Sequence, residues 1–228
     1  MRPASGLCLG PGVAGVTQLA ALDAHECELW SSEVLRLRPH WTRRHQALPF
    51  FTLGLAAYLD FARTSSGPGL YRSPELRTHY NGLLRRHFGA LLELSREVLS
   101  THTGLDARFA PERSSLPGFH VHMPHPVFAG GVASVHRDLQ FRDVFPDIPA
   151  TARDVLTFTL PLSLPAGSGL KLWSGHEEHF RAYRQGWMLV HDGLATHQAV
   201  LHPDGEDKPR IMLQGHGLRH DDTLILYW

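Results

Sequence analysis

The stretch DVLTFTLPLSLPAGSGLKLWSGHEEHFRAYRQGWMLVHDGLATHQAVL, residues 154–201, decides the fold class. Short apolar and β-branched runs at 154–162, 169–173, 187–191 and 196–201 are separated by Gly, Pro and Asp, and each reads as a strand. A weaker strand signal lies at 178–183. The same texture continues outward to 117–122 (PGFHVH), 133–141 (ASVHRDLQF), 210–216 (RIMLQGH) and 222–228 (DTLILYW). Eight or nine short strands in succession predict a mainly β protein, a sandwich or jelly-roll barrel. The long connection RDVFPDIPATAR at 142–153 is expected to act as a lid or a substrate contact.

Upstream of about residue 105 the texture is helical. Residues 28–38 and 51–62 carry apolar residues at helical spacing. The clearest helix is 74–101. Ser73 is its N-cap, Pro74 its first residue, and Gly104 lies just past its end. Arg72, Arg77, Arg85, Arg86 and Arg96 mark its solvated face. SSGPG at 65–69 is a loop, and GPGVAG at 10–15 is a flexible N-terminal segment without the Lys of a phosphate loop. A single domain of 228 residues is expected, with helical support over 1–105 and a strand-rich core over 106–228.

Lys plus Arg equals Asp plus Glu at 22 each, so net charge provides no footprint for nucleic acid or an anionic membrane. No apolar run approaches the length of a membrane span. Cys8 and Cys27 form no zinc-like or CxxC spacing, and a reducing, cytoplasmic setting is expected. The chain holds 17 histidines, so one histidine alone signals little.

The chemistry concentrates in three segments. In SVHRDLQF, His136 and Asp138 lie two residues apart, which on a strand turns both to one face. A further imidazole follows in HDGLATHQAV, where His197 opens a strand after the Asp192-Gly193 turn, with His191 as the alternative and His202 nearby. Arg210 begins the next strand, thirteen residues after His197. Two imidazoles and one carboxylate can occupy one face of a six-coordinate metal and leave the other open. The bland alternatives are a core His bonded to a carboxylate and an Arg in a structural ion pair.

In this order, His136-Arg137-Asp138, His197 and Arg210 on strands resemble the 2-oxoglutarate/Fe(II)-dependent oxygenases. The resemblance covers about the C-terminal half and implies a double-stranded β-helix packed against the N-terminal helices. It implies that His136, Asp138 and His197 bind Fe(II) and that Arg210 pairs with the distal carboxylate of 2-oxoglutarate. O2 would be the second co-substrate, and succinate and CO2 the by-products. Relatives that halogenate carry a small residue where Asp138 stands, so hydroxylation is the implied outcome. Many relatives place Ser or Thr two residues after the Arg. Here that residue is Met212, and Gln214 or Thr157 would supply the missing contact. The nucleic-acid dealkylating branch repeats an Arg six residues on, where this chain has His216.

The expected function is hydroxylation of a small molecule, such as an amino acid or a natural-product intermediate, with no nucleic-acid or membrane partner. The alternatives are the same chemistry on a peptide side chain, or a non-catalytic metal-binding jelly roll. His120 and His122 are expected to line the first barrel strand, with no later Glu to complete a cupin set. HEEH at 176–179 has its histidines three apart, not the four of a zinc-protease helix, and reads as a polar loop or edge strand. Trp173 and Trp187 are expected in the core.

Overall fold

A computed structural model describes residues 15–61, 69–130, 132–151, 154–201 and 207–228. Cys8, His202, loop residues 65–68 and all but Gly15 of the segment at 10–15 lie outside this set.

Twelve strands are present among the described residues: β1 (Thr17–Ala20), β2 (Thr42–Arg43), β3 (Phe50–Leu53), β4 (Asp106–Phe109), β5 (Gly118–His122), β6 (Val155–Ser163), β7 (Gly169–Ser174), β8 (Glu177–Ala182), β9 (Trp187–Asp192), β10 (Thr196–Val200), β11 (Arg210–His220) and β12 (Thr223–Tyr227). The larger sheet runs β1-β9-β6-β11-β5-β3-β2, with β12 on β11 and β4 parallel to β12. A smaller sheet runs β10-β7-β8. Leu170 and Leu172 of β7 pack with Tyr183, Leu189 and Met212, which joins the small sheet to the large one.

Alternation along the large sheet separates a helix side from a cavity side. Phe119 and Val121, Phe158 and Leu160, and Ile211 and Leu213 belong to the main core. Their intervening neighbours His120, His122, Thr157, Thr159, Arg210 and Gln214 line a cavity.

The main core is closed by α1 (Ala24–Arg36) and α3 (Pro74–Thr103). In α1, Asp23 accepts from the Glu26 N–H at 2.8 Å while Glu26 accepts from the Asp23 N–H at 2.9 Å, a complete capping box. In α3, Ser73 caps the start, and Gly104 ends the helix at φ 70°. Leu84, Phe88, Leu91, Leu92 and Leu99 face the sheet; of the five arginines expected on the solvated face, Arg72, Arg85 and Arg86 are exposed and Arg77 and Arg96 are half-buried.

Three expectations are corrected. Residues 51–62 are not one helix: β3 occupies their start, and only α2 (Ala57–Asp60) coils. Phe50–Leu53 pairs with β5 along its whole length, and Gly54 at φ 116° breaks the run. The first region is therefore more than helical support, because β1 extends one edge of the large sheet and β2 and β3 the other. The expected strand at 133–141 is a single bridge. His136 and His197 exchange backbone hydrogen bonds of 3.0 and 2.9 Å. The ladder stops there because Ala195 is engaged locally. Its carbonyl accepts from His197 Nδ1 and its N–H donates to Asp192, so the Asp138 N–H goes to the Gly193 carbonyl at 2.8 Å. Finally, the expected lid or substrate contact at 142–153 is not seen over 142–151: none of these residues lines the cavity, and Ala152 and Arg153 lie outside the described residues. The segment begins within α4 (Phe141–Val144), and Phe141, Val144, Phe145 and Ile148 bury against Leu55, Tyr71, Leu218 and Tyr227.

The C-terminal Trp228 closes the core end beside the site. It is fully buried, and its ring leaves no room for a Cβ at Gly118, which would come within 2.3 Å. Its ring centroid lies 5.2 Å from that of His120. Trp228→Ala is expected to cost about 3–5 kcal/mol and to lower Tm by about 10 °C. Thermal unfolding checks this, and an unchanged Tm would contradict the packing role.

Candidate metal and co-substrate site

Three elements bring His136, Asp138 and His197 together. The bridge between His136 and His197 sets their rings 4.4 Å apart, centroid to centroid. Asp138 follows, held by Gly193, where a Cβ would meet the Thr157 hydroxyl at 3.0 Å. Asp138 Oδ1 lies 3.8 Å from His136 Nε2, and Oδ2 lies 3.5 Å from His197 Nε2. All three ligand atoms fall within 4.8 Å of one another. Asp138 and His197 are buried, and His136 is the accessible member, its side chain 41% exposed.

Both imidazoles are oriented so that they could ligate a metal. His136 Nδ1 donates to the Ser134 carbonyl at 3.0 Å and His197 Nδ1 to the Ala195 carbonyl at 2.8 Å. Each Nδ1 therefore carries the proton, and each Nε2 lone pair is left toward Asp138. Ligand atoms about 2.1 Å from one ion sit about 3 Å apart at right angles, so a small contraction would close the set on a cation. Burial raises the Asp138 pKa, but His216, His197 and the Thr157 hydrogen bond outweigh it and hold the carboxyl down at about 2. Burial also lowers the His197 pKa, keeping the imidazole neutral and able to ligate.

His191, the alternative ligand, stands outside the cluster. Its ring packs against His197 at 4.6 Å, its Nδ1 contacts the Asp192 carbonyl at 2.9 Å, and burial pushes its pKa down to about 3.

Arg210 opens β11 with its side chain in the same cavity, of about 370 Å3. It is 3% exposed, and its Nε has no hydrogen-bond partner among the described residues. The groups acting on it are Tyr183 and Tyr58, with no carboxylate, and burial lowers its pKa. A buried guanidinium with no carboxylate partner among the described residues is costly, so the site could accept an anion. By contrast, Arg44 in the same wall is closed by Asp60, at 2.5 and 2.7 Å, and by Thr52 at 2.7 Å.

Of the two residues expected to supply the missing contact to the co-substrate carboxylate, Gln214 lines the cavity and Thr157 is already engaged. The Thr157 hydroxyl donates to Asp138 Oδ2 at 2.5 Å, and Gln214 is bonded to His120. Met212 is buried between the sheets. The group beside Arg210 is Tyr183, with its ring centroid 5.4 Å from the guanidinium carbon and side-chain hydrogen bonds to Arg210 and Thr159. Tyr183 follows β8 and shares no strand with Arg210, so no spacing in the sequence pointed to it.

Sequence reasoning also missed His216 and Gln140. His216 is fully buried, with Nδ1 3.0 Å from the Thr157 hydroxyl and Nε2 2.6 Å from Gln140 Nε2. The available signal was parity, because Arg210, Met212, Gln214 and His216 alternate on one strand face.

The outer cavity wall is aromatic. Phe50, His122 and Arg210 stand in one cross-strand row, and the Phe50 and His122 rings stack at 4.4 Å and 6°. Phe128 meets His122 edge-on, and the Tyr58 hydroxyl lies 2.5 Å from His120 Nε2. His120 and His122 thus line the cavity as expected, whereas Trp173 and Trp187, expected in the core, are only half-buried and belong to no core cluster. HEEH spans the turn into the edge strand β8.

No family model and no curated protein matches the chain. Solved structures do. An N-substituted L-amino acid dioxygenase from Burkholderia ambifaria superposes with a TM-score of 0.57 at 12% identity, covering 93% of this chain and 86% of that one. The non-heme alpha-ketoglutarate-dependent epimerase SnoN from nogalamycin biosynthesis gives 0.55 at 14% identity, with 91% and 81% covered. An oxidoreductase of the 2OG-Fe(II) oxygenase family from Burkholderia pseudomallei gives 0.52 at 12% identity, with 91% and 86% covered. The two-sheet topology and these superpositions together give the chain the double-stranded β-helix fold of the 2-oxoglutarate/Fe(II) oxygenases.

Proposed function

We propose that this chain is an Fe(II)- and 2-oxoglutarate-dependent oxygenase that hydroxylates a small molecule. One observation carries the proposal: a buried guanidinium with no carboxylate partner among the described residues shares a single cavity with a His-Asp-His cluster. Bound Fe(II), with 2-oxoglutarate and O2, would supply the oxidising chemistry, with succinate and CO2 as by-products.

The chain's part is binding, orientation and exclusion of water. His136, Asp138 and His197 would hold the metal through two Nε2 atoms and one carboxylate oxygen, leaving its other face to the cavity. Arg210 would bind the distal carboxylate of 2-oxoglutarate, with the Tyr183 phenol as the neighbouring polar contact. Burial strengthens that ion pair and makes it selective for a diacid long enough to reach the metal.

The size of the cavity favours a small molecule over a protein segment. Its outer wall of Phe50, His122, Phe128, Leu48, Leu59 and Val132 favours a substrate with an apolar or ring-containing portion. Balanced charge and the absence of the second Arg at position 216 support a substrate other than nucleic acid. Among the described residues no helix is long and apolar enough to cross a membrane. The buried thiol of Cys27 and the need for ferrous iron fit a reducing, cytoplasmic setting. The test is succinate release across panels of small molecules and peptides. Small molecules should accelerate it, and acceleration by peptides alone would favour the peptide alternative.

A further inference from the structure

His216 occupies the position where an Arg would mark a different branch of the fold, and nothing in co-substrate binding requires it. It is nevertheless fully buried, and so are Thr157 and Gln140, at 1% and 7% exposure. Polar side chains this deep are costly unless each proton has an acceptor. Leu or Val would fill the row more simply. Their hydrogen bonds show what they do instead.

His191, Thr157 and His216 face one another across β9, β6 and β11. Thr157 has one hydroxyl proton, and it goes to Asp138 Oδ2 at 2.5 Å, because an ionised carboxylate only accepts. Toward His216 the Thr157 oxygen must then accept, so His216 Nδ1, at 3.0 Å, carries the ring proton. His216 Nε2 is left bare and accepts from the Gln140 amide at 2.6 Å. Every role is determined, and the chain runs in one direction from Gln140 to Asp138. The His216 ring is held against Tyr227, with centroids 5.4 Å apart. Gln140 lies two residues past Asp138, so the chain ties the ligand loop back to the strand beneath it.

We propose that Gln140, His216 and Thr157 are positioning residues that hold Asp138 for the metal, engaging Oδ2 so that Oδ1 is the oxygen presented to the ion. This rests on the metal reading of the cluster. A carboxylate with one oxygen engaged by a hydroxyl is less free to grip the ion with both. Positions on the metal are thereby kept for the co-substrate. Loss of such an outer contact typically weakens metal binding by about 10–100-fold.

The experiment is Mn(II) titration of the full chain without iron, followed by the electron paramagnetic resonance of free Mn(II), with Tm recorded for each variant. Thr157→Val keeps the shape and removes the hydroxyl, and should raise the Mn(II) Kd by about 10–100-fold. Thr157→Ser restores the hydroxyl and should return Kd to within about threefold of wild type. Gln140→Leu touches neither Asp138 nor the metal, yet should weaken binding in the same direction by a smaller factor. A purely structural row would lower Tm in these variants and leave the affinity of the folded protein unchanged. If wild type binds Mn(II) and Thr157→Val binds it equally well, the positioning chain is refuted while the metal site stands. If wild type binds no Mn(II), the metal reading falls and this proposal with it.

Discussion

Arg210→Met should raise the Kd for 2-oxoglutarate by at least about 100-fold, while Mn(II) binding is retained and the ligand-free protein becomes no less stable. The first part follows from burial. Breaking a buried guanidinium–carboxylate pair costs about 3–5 kcal/mol, or a factor of a few hundred or more in affinity. The second follows because Arg210 has no carboxylate partner among the described residues and an unbonded Nε. Met fills similar space with no charge to desolvate. Each kcal/mol regained would raise Tm by about 2–4 °C for a chain of this size. Thermal unfolding of Mn(II)-loaded protein with and without 2-oxoglutarate reads both effects. Wild type should gain stability on adding the keto acid, and Arg210→Met should not. Loss of metal binding in the variant, or wild-type affinity for 2-oxoglutarate, would show that Arg210 has another role.

His136→Ala should abolish metal-dependent activity with almost no effect on folding. The ring is the exposed member of the cluster, and its removal should change stability by no more than about 0.5 kcal/mol. Its Nε2 is nonetheless one of the three atoms that could ligate the metal. Loss of an outer-shell contact already costs about 10–100-fold in metal affinity, and loss of a ligand should exceed that, at about 1000-fold or more. Asp138→Ala would be a less clean probe, because it also leaves the Thr157 hydroxyl without its acceptor. A His136→Ala protein that binds Fe(II) and forms succinate like wild type would remove His136 from the site.

The reach of the sequence had a physical limit. The strands at 155–163, 187–192 and 210–220 were legible as short apolar runs bounded by Gly, Pro and Asp, and they are buried on both faces along most of their length. Helix α3 was legible because caps and periodicity agreed. The segment 51–62 was misread because its apolar residues suit both periods, and pairing with β5 decided the outcome. The HxD segment was expected as a strand and is one bridge, since Ala195 engages its own backbone in the neighbouring turn. Even so, its two side chains meet as the spacing implied. Arg210 was visible from its place thirteen residues after His197 on its own strand, whereas Tyr183 and Gln140 come from segments bordering other elements. Only the fold places Tyr183 against Arg210 and Gln140 against His216.

The most direct test of the metal and co-substrate site is succinate formation by Fe(II)-loaded protein, prepared without oxygen and then given 2-oxoglutarate and O2. Succinate should appear in wild type, require iron, and be lost in both His136→Ala and Arg210→Met. No succinate from iron-loaded wild type, or equal amounts from all three proteins, would contradict the assignment.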